Sequence, residues 1–224
     1  MDLVFLQASD WAFIHANWWF LFLGTVVTVL LTVASLGLGF FAGFPAGAIE
    51  VYGSGWLKGI VSTVGVVLRG TPIVVLIVLF YFGLPIPELV RVPILDIRMS
   101  TFLAATLALG LRSAAYQGQV FRGAIQSIGE GQMDAARSVG MTKIQAIRRV
   151  IFPQALRRSV PGFQNEFTIV LKDTSVAFAI GLMELLTRAE NLYLQPGRET
   201  AMMEAIITIS AIYFVLTFTT NRSL

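Results

Sequence analysis

The sequence contains no cysteine and a single histidine, His15. The absence of cysteine excludes disulfide bonds, thiolate metal ligands and cysteine nucleophiles. One histidine cannot build a histidine-based metal cluster. Charged residues are also scarce, at 13% of the chain, about half of the roughly 25% that is typical of soluble domains. These absences argue against an ordinary soluble domain and against most metalloenzymes.

Apolar residues dominate what is present. They make up 56% of the 224 residues, and the mean hydropathy is +0.76. A chain of this length and composition suits about five membrane-spanning helices of ~20 residues each plus their connections. We predict an all-α membrane protein, a single transmembrane domain over residues 1–224. Its five spans are predicted at 18–44, 57–84, 101–121, 160–183 and 205–219.

Glycine and proline shape the first two spans. Gly39, Gly43 and Gly47 recur at four-residue spacing, which lets two membrane helices approach closely. Pro45, together with Gly47, is expected to end or bend the first span, and Pro72 to bend the second. We therefore predict that the glycine face lies against another helix rather than lipid.

Polar side chains interrupt the third and fourth spans. The spacing places each set on one helical face, and ionisable groups inside a membrane normally face a bundle interior or a wet cavity. Asp173 lies about 100° around the helix from its neighbour Lys172 and need not pair with it. Two interpretations stay open, a substrate pathway or hydrogen bonds that only hold helices together. The candidate pathway residues are Arg112, Tyr116, Gln119, Asn165, Thr168, Lys172, Asp173 and Ser175.

Charge asymmetry sets the expected orientation. The loop 122–158 carries seven basic residues against two acidic ones, while acids outnumber bases in 184–204. By the positive-inside rule the first loop is cytoplasmic and the second an outer loop. We therefore predict the N-terminus outside and the C-terminus inside; the abrupt end at Leu224 leaves open whether a natural tail follows.

The cytoplasmic loop is predicted to hold two short helices separated by Gly140. Thr142 and Gln145 form a capping-box signature for the second helix, and Pro153 is expected to end it. Gly140 is expected to make a tight turn, with a positive φ. The shape is that of a basic helix-turn-helix, but its position between membrane spans argues against nucleic-acid binding.

This loop reads Gln132-Met-Asp-Ala-Ala-Arg-Ser-Val-Gly140, then nine residues, then Val150-Ile-Phe-Pro153. The pattern resembles the EAA signature of binding-protein-dependent ABC importer permeases, in which Glu-Ala-Ala, three residues and Gly precede Ile-x-Leu-Pro by nine residues. Asp134, Val150 and Phe152 replace Glu, Ile and Leu with residues of like charge or apolarity.

Other segments are similar to the polar amino acid permeases among these proteins. The resemblance covers about residues 20–220, although the position of Gln119 is usually Glu in that family. The matching motifs are Arg69-Gly-Thr-Pro72, Ala115-Tyr116, Phe121-Arg-Gly123, Pro153-Gln-Ala155 with Arg157, and Lys172-Asp-Thr-Ser175.

The resemblance implies a multi-pass permease subunit with a MetI-like core in a prokaryotic inner membrane. It would pair with an identical or a second permease, bind two ATPase subunits and receive an amino acid from an external binding protein. ATP and Mg²⁺ would belong to the ATPase subunits, since this chain has no G-x-x-x-x-G-K-[ST] phosphate loop, and no cofactor is expected in it.

The resemblance also implies that the loop contacts the ATPase. A short amphipathic helix in a loop is not expected to bury its apolar face within its own chain, so it can dock in a groove on a partner. The candidate coupling residues are Asp134, Ala135, Ala136, Gly140, Thr142, Ile144, Ile147, Arg148 and Pro153.

Two other classes were weighed. An ion-coupled secondary carrier would more often show internal repeats and a longer chain, and no repeat is found. A membrane enzyme would need a nucleophile with a base, or metal ligands. The sequence names neither the transported amino acid nor whether this subunit itself binds it.

Overall fold

The computed structural model describes residues 8–87 and 91–223. These residues form helices joined by short connections, together with an antiparallel hairpin of strands β1 (Arg91–Val92) and β2 (Ile97–Arg98). The α-helices are α1 (Ala8–Ala16), α2 (Trp18–Tyr52), α3 (Gly55–Gly70), α4 (Ile73–Gly83), α5 (Met99–Gln126), α6 (Glu130–Ser138), α7 (Lys143–Ala146), α8 (Phe152–Asp173), α9 (Leu185–Tyr193) and α10 (Met202–Ser223).

The chain forms two compact units. The first comprises the described residues up to Ala34, Ile73–Leu109 and those from Thr168 onwards. The second comprises Ser35–Pro72 and Gly110–Phe167. Each unit is described by itself below.

Among the described residues, two helical segments are long and apolar enough to cross a membrane alone, Trp18–Tyr52 and Glu199–Thr220. Helices α3 and α4 meet that standard only as a pair, with a break at 71–72. The expected interruption at Pro72 is thus confirmed. Helix α5 covers the third predicted span, whereas α8 ends at Asp173 and a 3₁₀-helix, Thr174–Ile180, continues through part of the fourth. Both α5 and α8 carry polar side chains, which lower their mean hydropathy. The five predicted span boundaries remain predictions.

Glycine brings α2 and α5 into backbone contact within the second unit. A methyl group on Gly43 would lie 2.4 Å from the carbonyl oxygen of Ala114, and one on Gly47 would lie 2.5 Å from that of Gly118. One on Gly39 would meet the Gln117 side chain at 2.5 Å. The prediction that this glycine face packs against a helix is confirmed.

Pro45 was expected to end or bend the first span, and the first of these alternatives is wrong for the helix itself, because α2 runs through Pro45 to Tyr52. Phe44 packs against Phe121 and Phe152 in the core of the second unit, with an edge-on ring separation of 4.6 Å to Phe152. Gly47 packs on α5 beyond the proline. These contacts fix the chain on both sides of Pro45, and membrane helices tolerate a proline where neighbouring groups compensate for the lost hydrogen bond.

Pro153 likewise does not end its helix. Helix α7 leads into a π-helix, Ile147–Ile151, and then directly into α8. The amide of Phe152 donates to the Ile147 carbonyl five residues back, so the hydrogen-bond ladder shifts just before the proline. Pro153 then occupies the first turn of α8, where its missing N–H is tolerated.

The segment 184–204 is not a loop throughout. It contains α9, which packs with α10 and α2 around a buried cluster in the first unit. A turn at Pro196–Gly197 follows α9, with a φ of +77° at Gly197. Leu185 and Leu192 point from α9 into this cluster and are almost fully buried. The charged residues of this segment led to the prediction of a loop, although the spacing of these leucines is that of an amphipathic helix.

The contact between α2 and α5 can be tested with a matched pair of glycine substitutions. We expect Gly43→Ala to lower the thermal stability of the purified protein, since overpacking against a backbone atom costs about 1–3 kcal/mol. Gly37→Ala, in the same helix, is the control because no atom of the described residues lies within 4 Å of its added methyl. Equal melting temperatures for the two variants, measured in detergent, would contradict this packing.

Candidate functional site

The two short helices of the second unit meet at a closed turn. The amide of Met141 donates to the carbonyl of Ala136 at 3.1 Å, and that of Gly140 to the carbonyl of Arg137 at 3.0 Å. Gly140 has a φ of +85°. This pattern is a Schellman motif, which favours glycine because a side chain is strained at positive φ. The predicted role of Gly140 in the turn is confirmed.

A capping box fixes the start of the next helix. Thr142 Oγ1 accepts a hydrogen bond from the Gln145 amide at 3.3 Å, and the Thr142 amide donates to Gln145 Oε1 at 2.9 Å. Each partner satisfies an amide that would otherwise lack an acceptor at the helix start. The turn and the box together set the direction of α7 relative to α6.

The turn exposes two large apolar side chains. Ile144 is 78% exposed and Val139 is 73% exposed. Val139 was not predicted as a site residue, because its neighbours in the sequence do not indicate that the fold leaves it exposed. We name the surface formed by these two side chains and the turn between them the turn surface. It has the apolar character of a protein contact rather than of a solvated loop.

The rest of the apolar face is covered within the chain. Ala146 and Ile151 are buried, and Ile151 packs with Phe121 and Ile125. The expectation that this helix leaves its whole apolar face for a partner is therefore wrong. Ile147 is half-buried, so Ile144 is the large side chain that the α7 segment leaves for a partner.

Charged side chains of both signs surround the turn surface. Asp134 and Ala135 are exposed on α6 while Ala136 is buried, and Arg148 and Pro153 are exposed on the following helices. A groove of about 400 Å³ lies beside the turn surface. Its lining includes Tyr52, Met133, Asp134, Lys143 and Ile151. Asp134 and Lys143 therefore meet at this groove, whereas Ala136 is buried beneath the surface.

Four candidate pathway residues lie in the second unit. The guanidinium of Arg112 is 5.3 Å from the ring centroid of Tyr116, a cation–π contact on one face of α5. Gln119 and Asn165 are exposed. The predicted shared face of Arg112 and Tyr116 is thus present. Gln117, which was not among the candidates, is buried and donates to Ser113 and to the Leu36 carbonyl.

The other four candidates lie in the first unit. Thr168 is buried, Lys172 is exposed and Asp173 is partly exposed at the end of α8. The Ser175 hydroxyl donates to the Lys172 carbonyl at 2.7 Å. The predicted continuous stripe ends before Ser175, because the chain changes to a 3₁₀-helix at Thr174 and the angular step per residue increases.

A buried polar network of the first unit was missed by sequence reasoning. The carboxylate of Glu184 accepts hydrogen bonds from the amides of Leu186 and Thr187 and from the Tyr213 hydroxyl. It is thus the N-cap of α9. Burial raises the pKa of the Glu184 carboxyl to about 7, against the lowering effect of these donors. Glutamate is an uncommon N-cap, so the capping rules gave no signal here.

Arg188, one turn further along α9, is also buried. Its guanidinium donates to the main-chain carbonyls of Met183, Phe20 and Leu95, and lies 4.6 Å from the Phe20 ring centroid. A side chain on Gly24 would collide with the Arg188 stem at 2.7 Å. Arg188 therefore ties α2, α9 and the β1–β2 hairpin together inside the first unit.

Comparison with known proteins identifies the family. Residues 35–222 match the model of the family described as binding-protein-dependent transport system inner membrane component. The chain is 34% identical to the glutamine transport system permease protein GlnP of Escherichia coli, covering 95% of each chain. It is 32% identical to the probable amino-acid permease protein YxeN of Bacillus subtilis, covering 95% of this chain and 91% of the relative.

A solved structure agrees with these relatives. The crystal structure of an amino acid ABC transporter with histidines shares 31% identity with this chain and superimposes with a TM-score of 0.80, covering 97% of this chain and 96% of the other. The predicted permease fold is confirmed. The chain therefore belongs to the family of inner membrane components of binding-protein-dependent transport systems, and its predicted resemblance to the polar amino acid permeases is confirmed.

Proposed function

We propose that this chain is the permease subunit that carries a polar amino acid across the inner membrane, driven by ATP hydrolysis on separate subunits. The turn surface is the observation that carries this proposal. It presents two exposed apolar side chains, Val139 and Ile144, on a turn fixed by hydrogen bonds. Such a surface transmits a force only if it is rigid, and the Schellman motif and the capping box make it so.

The turn surface docks on the ATPase. Ile144 and Val139 enter an apolar groove of that partner, and the exposed charges around them, Asp134 and Arg148 among them, fix the register. Movement of the ATPase then shifts α6 and the α7–α8 segment together. Ile151 packs against Phe121 and Ile125 of α5. A displacement of the α7–α8 segment is therefore transmitted directly to α5.

The complete transporter contains more subunits than this one. Two permeases, identical or different, combine with two ATPase subunits and an external binding protein, and alternating access moves the substrate. The N-terminus lies outside and the C-terminus inside, because this orientation puts the basic loop 122–158 in the cytoplasm. ATP and Mg²⁺ bind the ATPase subunits.

The substrate class follows from the relatives. GlnP is named for glutamine transport and YxeN as a probable amino-acid permease. A zwitterion crossing a membrane needs polar groups that replace its hydration. Arg112, stacked on Tyr116, and Lys172 are cations suited to its carboxylate; Asp173 and Glu166 are suited to its ammonium group.

The source of energy distinguishes ATP-driven import from the ion-coupled alternative, which the comparisons disfavour. The whole complex, expressed with the ATPase and binding protein encoded beside it, is reconstituted in liposomes. We expect uptake of a labelled polar amino acid to require ATP and the binding protein, and to persist when the proton and sodium gradients are dissipated. Uptake that follows an ion gradient without ATP would overturn the proposal.

The turn glycine supplies a test of coupling. Gly140→Val forces a β-branched residue to a φ of +85°, which such residues strongly disfavour. We expect the number of amino acids imported per ATP to fall several-fold, while membrane insertion and basal hydrolysis persist. Gly140→Asn should retain most transport because asparagine tolerates the left-handed region.

Gly131→Val is the matched control for that experiment, since this exposed glycine of α6 has open space around it and no positive φ. The Gly131→Val variant should import about as many amino acids per ATP as the wild type. An unchanged number of amino acids imported per ATP in Gly140→Val would show that the turn does not transmit the movement of the ATPase.

The candidate pathway cations supply a second test. We expect Arg112→Gln and Lys172→Gln to assemble and hydrolyse ATP but to change the KM or the maximal rate of uptake, because a carboxylate partner is lost. Lys58→Gln removes an exposed cation of α3 outside the predicted pathway and should leave both unchanged. Loss of assembly in the first two variants would indicate a structural role, and normal kinetics would exclude both from the pathway.

A further inference from the structure

The last two turns of α2 lie beyond the predicted first span, and we name Pro45–Tyr52 the α2 extension. Within the second unit, Val51 and Tyr52 of this extension pack against the buried cluster that contains Phe121 and Ile151. Phe121 belongs to α5, and Ile151 belongs to the π-helix that joins α7 to α8. The α2 extension therefore shares one core with α5 and with the segment that follows the turn surface.

An ion pair joins the α2 extension to α5. The Arg122 guanidinium donates through Nη1 to Glu50 Oε2 at 3.1 Å. The Glu50 side chain is 8% exposed, whereas that of Arg122 is 41% exposed. Glu50 follows Gly47 by three residues, so it lies on the face of α2 that meets the α5 backbone. Separating the helices here would leave a buried carboxylate without its cation, which is costly.

This pair adds a directional bond to the packing of α2 on α5. The apolar contacts between these helices have no preferred direction, whereas a charge-assisted hydrogen bond depends on both distance and angle. Arg122 lies four residues before Gln126, the last residue of α5. The pair therefore fixes α2 against α5 at the level where the loop helices join α5.

The loop also contacts the α2 extension directly. Lys143 Nζ lies 5.9 Å from the ring centroid of Tyr52, within the range of a cation–π contact. Lys143 is the first residue of α7 and follows Thr142 of the capping box. Tyr52 and Lys143 both line the groove beside the turn surface. The α2 extension is thus in contact with the turn helix as well as with α5.

We propose that the α2 extension is a second route by which movement of the turn surface enters the membrane, and that Glu50 is the residue that positions it against α5. The loop displaces α5 through Ile151, and the Glu50–Arg122 pair makes α2 move with α5. Two residues, Gly53 and Ser54, separate α2 from α3, so the displacement also reaches α3. This inference rests on the proposed function, since it requires an ATPase to move the turn surface.

Two measurements distinguish this positioning role from a purely structural one. The melting temperature of the purified complex reports on stability, and the number of amino acids imported per ATP reports on coupling. The complex is assembled with the ATPase and binding protein encoded beside it and reconstituted in liposomes. Glu50→Gln keeps the shape of the side chain and removes its charge. We expect import per ATP to fall several-fold in this variant, with basal hydrolysis preserved.

Substitutions of the partner test whether the two residues act as a pair. Arg122→Gln leaves the Glu50 carboxylate buried without its cation, so it should reduce import per ATP more than Glu50→Gln does. The double variant Glu50→Gln/Arg122→Gln has no unpaired charge at this position. It should therefore import more per ATP than Arg122→Gln alone, a non-additive result that identifies coupled residues. Arg122→Lys keeps a cation opposite Glu50 and should retain most of the coupling.

Glu199→Gln is the matched control for the change in net charge. Glu199 is exposed in the first unit, and the substitution keeps a side-chain oxygen for the amide of Gly197. This variant should import as many amino acids per ATP as the wild type. An equal fall in Glu199→Gln and Glu50→Gln would show that net charge causes the effect, and would overturn the proposal.

The remaining outcomes separate the inference from the proposed function. If uptake by the wild-type complex does not require ATP, the proposed function fails. If wild-type uptake is ATP-driven and Glu50→Gln lowers only the melting temperature, the pair is structural and the inference fails while the function stands. If Arg122→Gln does not assemble, Glu50→Gln is compared with the double variant. Equal import per ATP in these two is expected of a pair, and a further fall in the double variant would contradict it.

Discussion

The close contact between α2 and α5 is the constraint on which the second unit depends. Without side chains at Gly43 and Gly47 the two backbones meet directly, and this brings Phe44 of α2 against Phe121 of α5. Lipid gives no hydrophobic reason for two helices to associate, so close packing has to supply the attraction. Ile151 packs against this aromatic cluster, and the short loop helices adjoin Ile151 in the chain. The position of the turn surface therefore depends on the glycine contact between α2 and α5.

The first unit depends instead on buried polar groups that are satisfied by the main chain. An isolated buried charge is costly, yet Arg188 and Glu184 are almost fully buried. Arg188 is surrounded by three carbonyls, while Glu184 accepts from two amides and the Tyr213 hydroxyl. These bonds have defined directions, so they hold α9 and the hairpin in one arrangement where apolar packing alone would allow sliding. Glu184 and Arg188 therefore belong to an internal network, whereas Gln195 and Glu199 of the same segment are exposed.

The elements that could be predicted are those governed by local rules. The glycine face, the interruption at Pro72, the turn at Gly140 and the capping box at Thr142 each follow from a few neighbouring residues. The elements that were missed depend on distant partners: α2 continues past Pro45 where Phe44 and Gly47 pack on α5, and α9 packs through Leu185 in a cluster with residues far along the chain. The exposure of Val139 shows the same limit, since its neighbours in sequence give no measure of what the fold covers.

The turn surface is of the kind that suits a lasting contact. Val139 and Ile144 are largely uncovered by the described residues. Apolar side chains dominate permanent interfaces, because separating such an interface returns apolar surface to water. The Schellman motif and the capping box fix the turn before a partner binds, so the contact proposed for the ATPase requires little additional ordering of the chain.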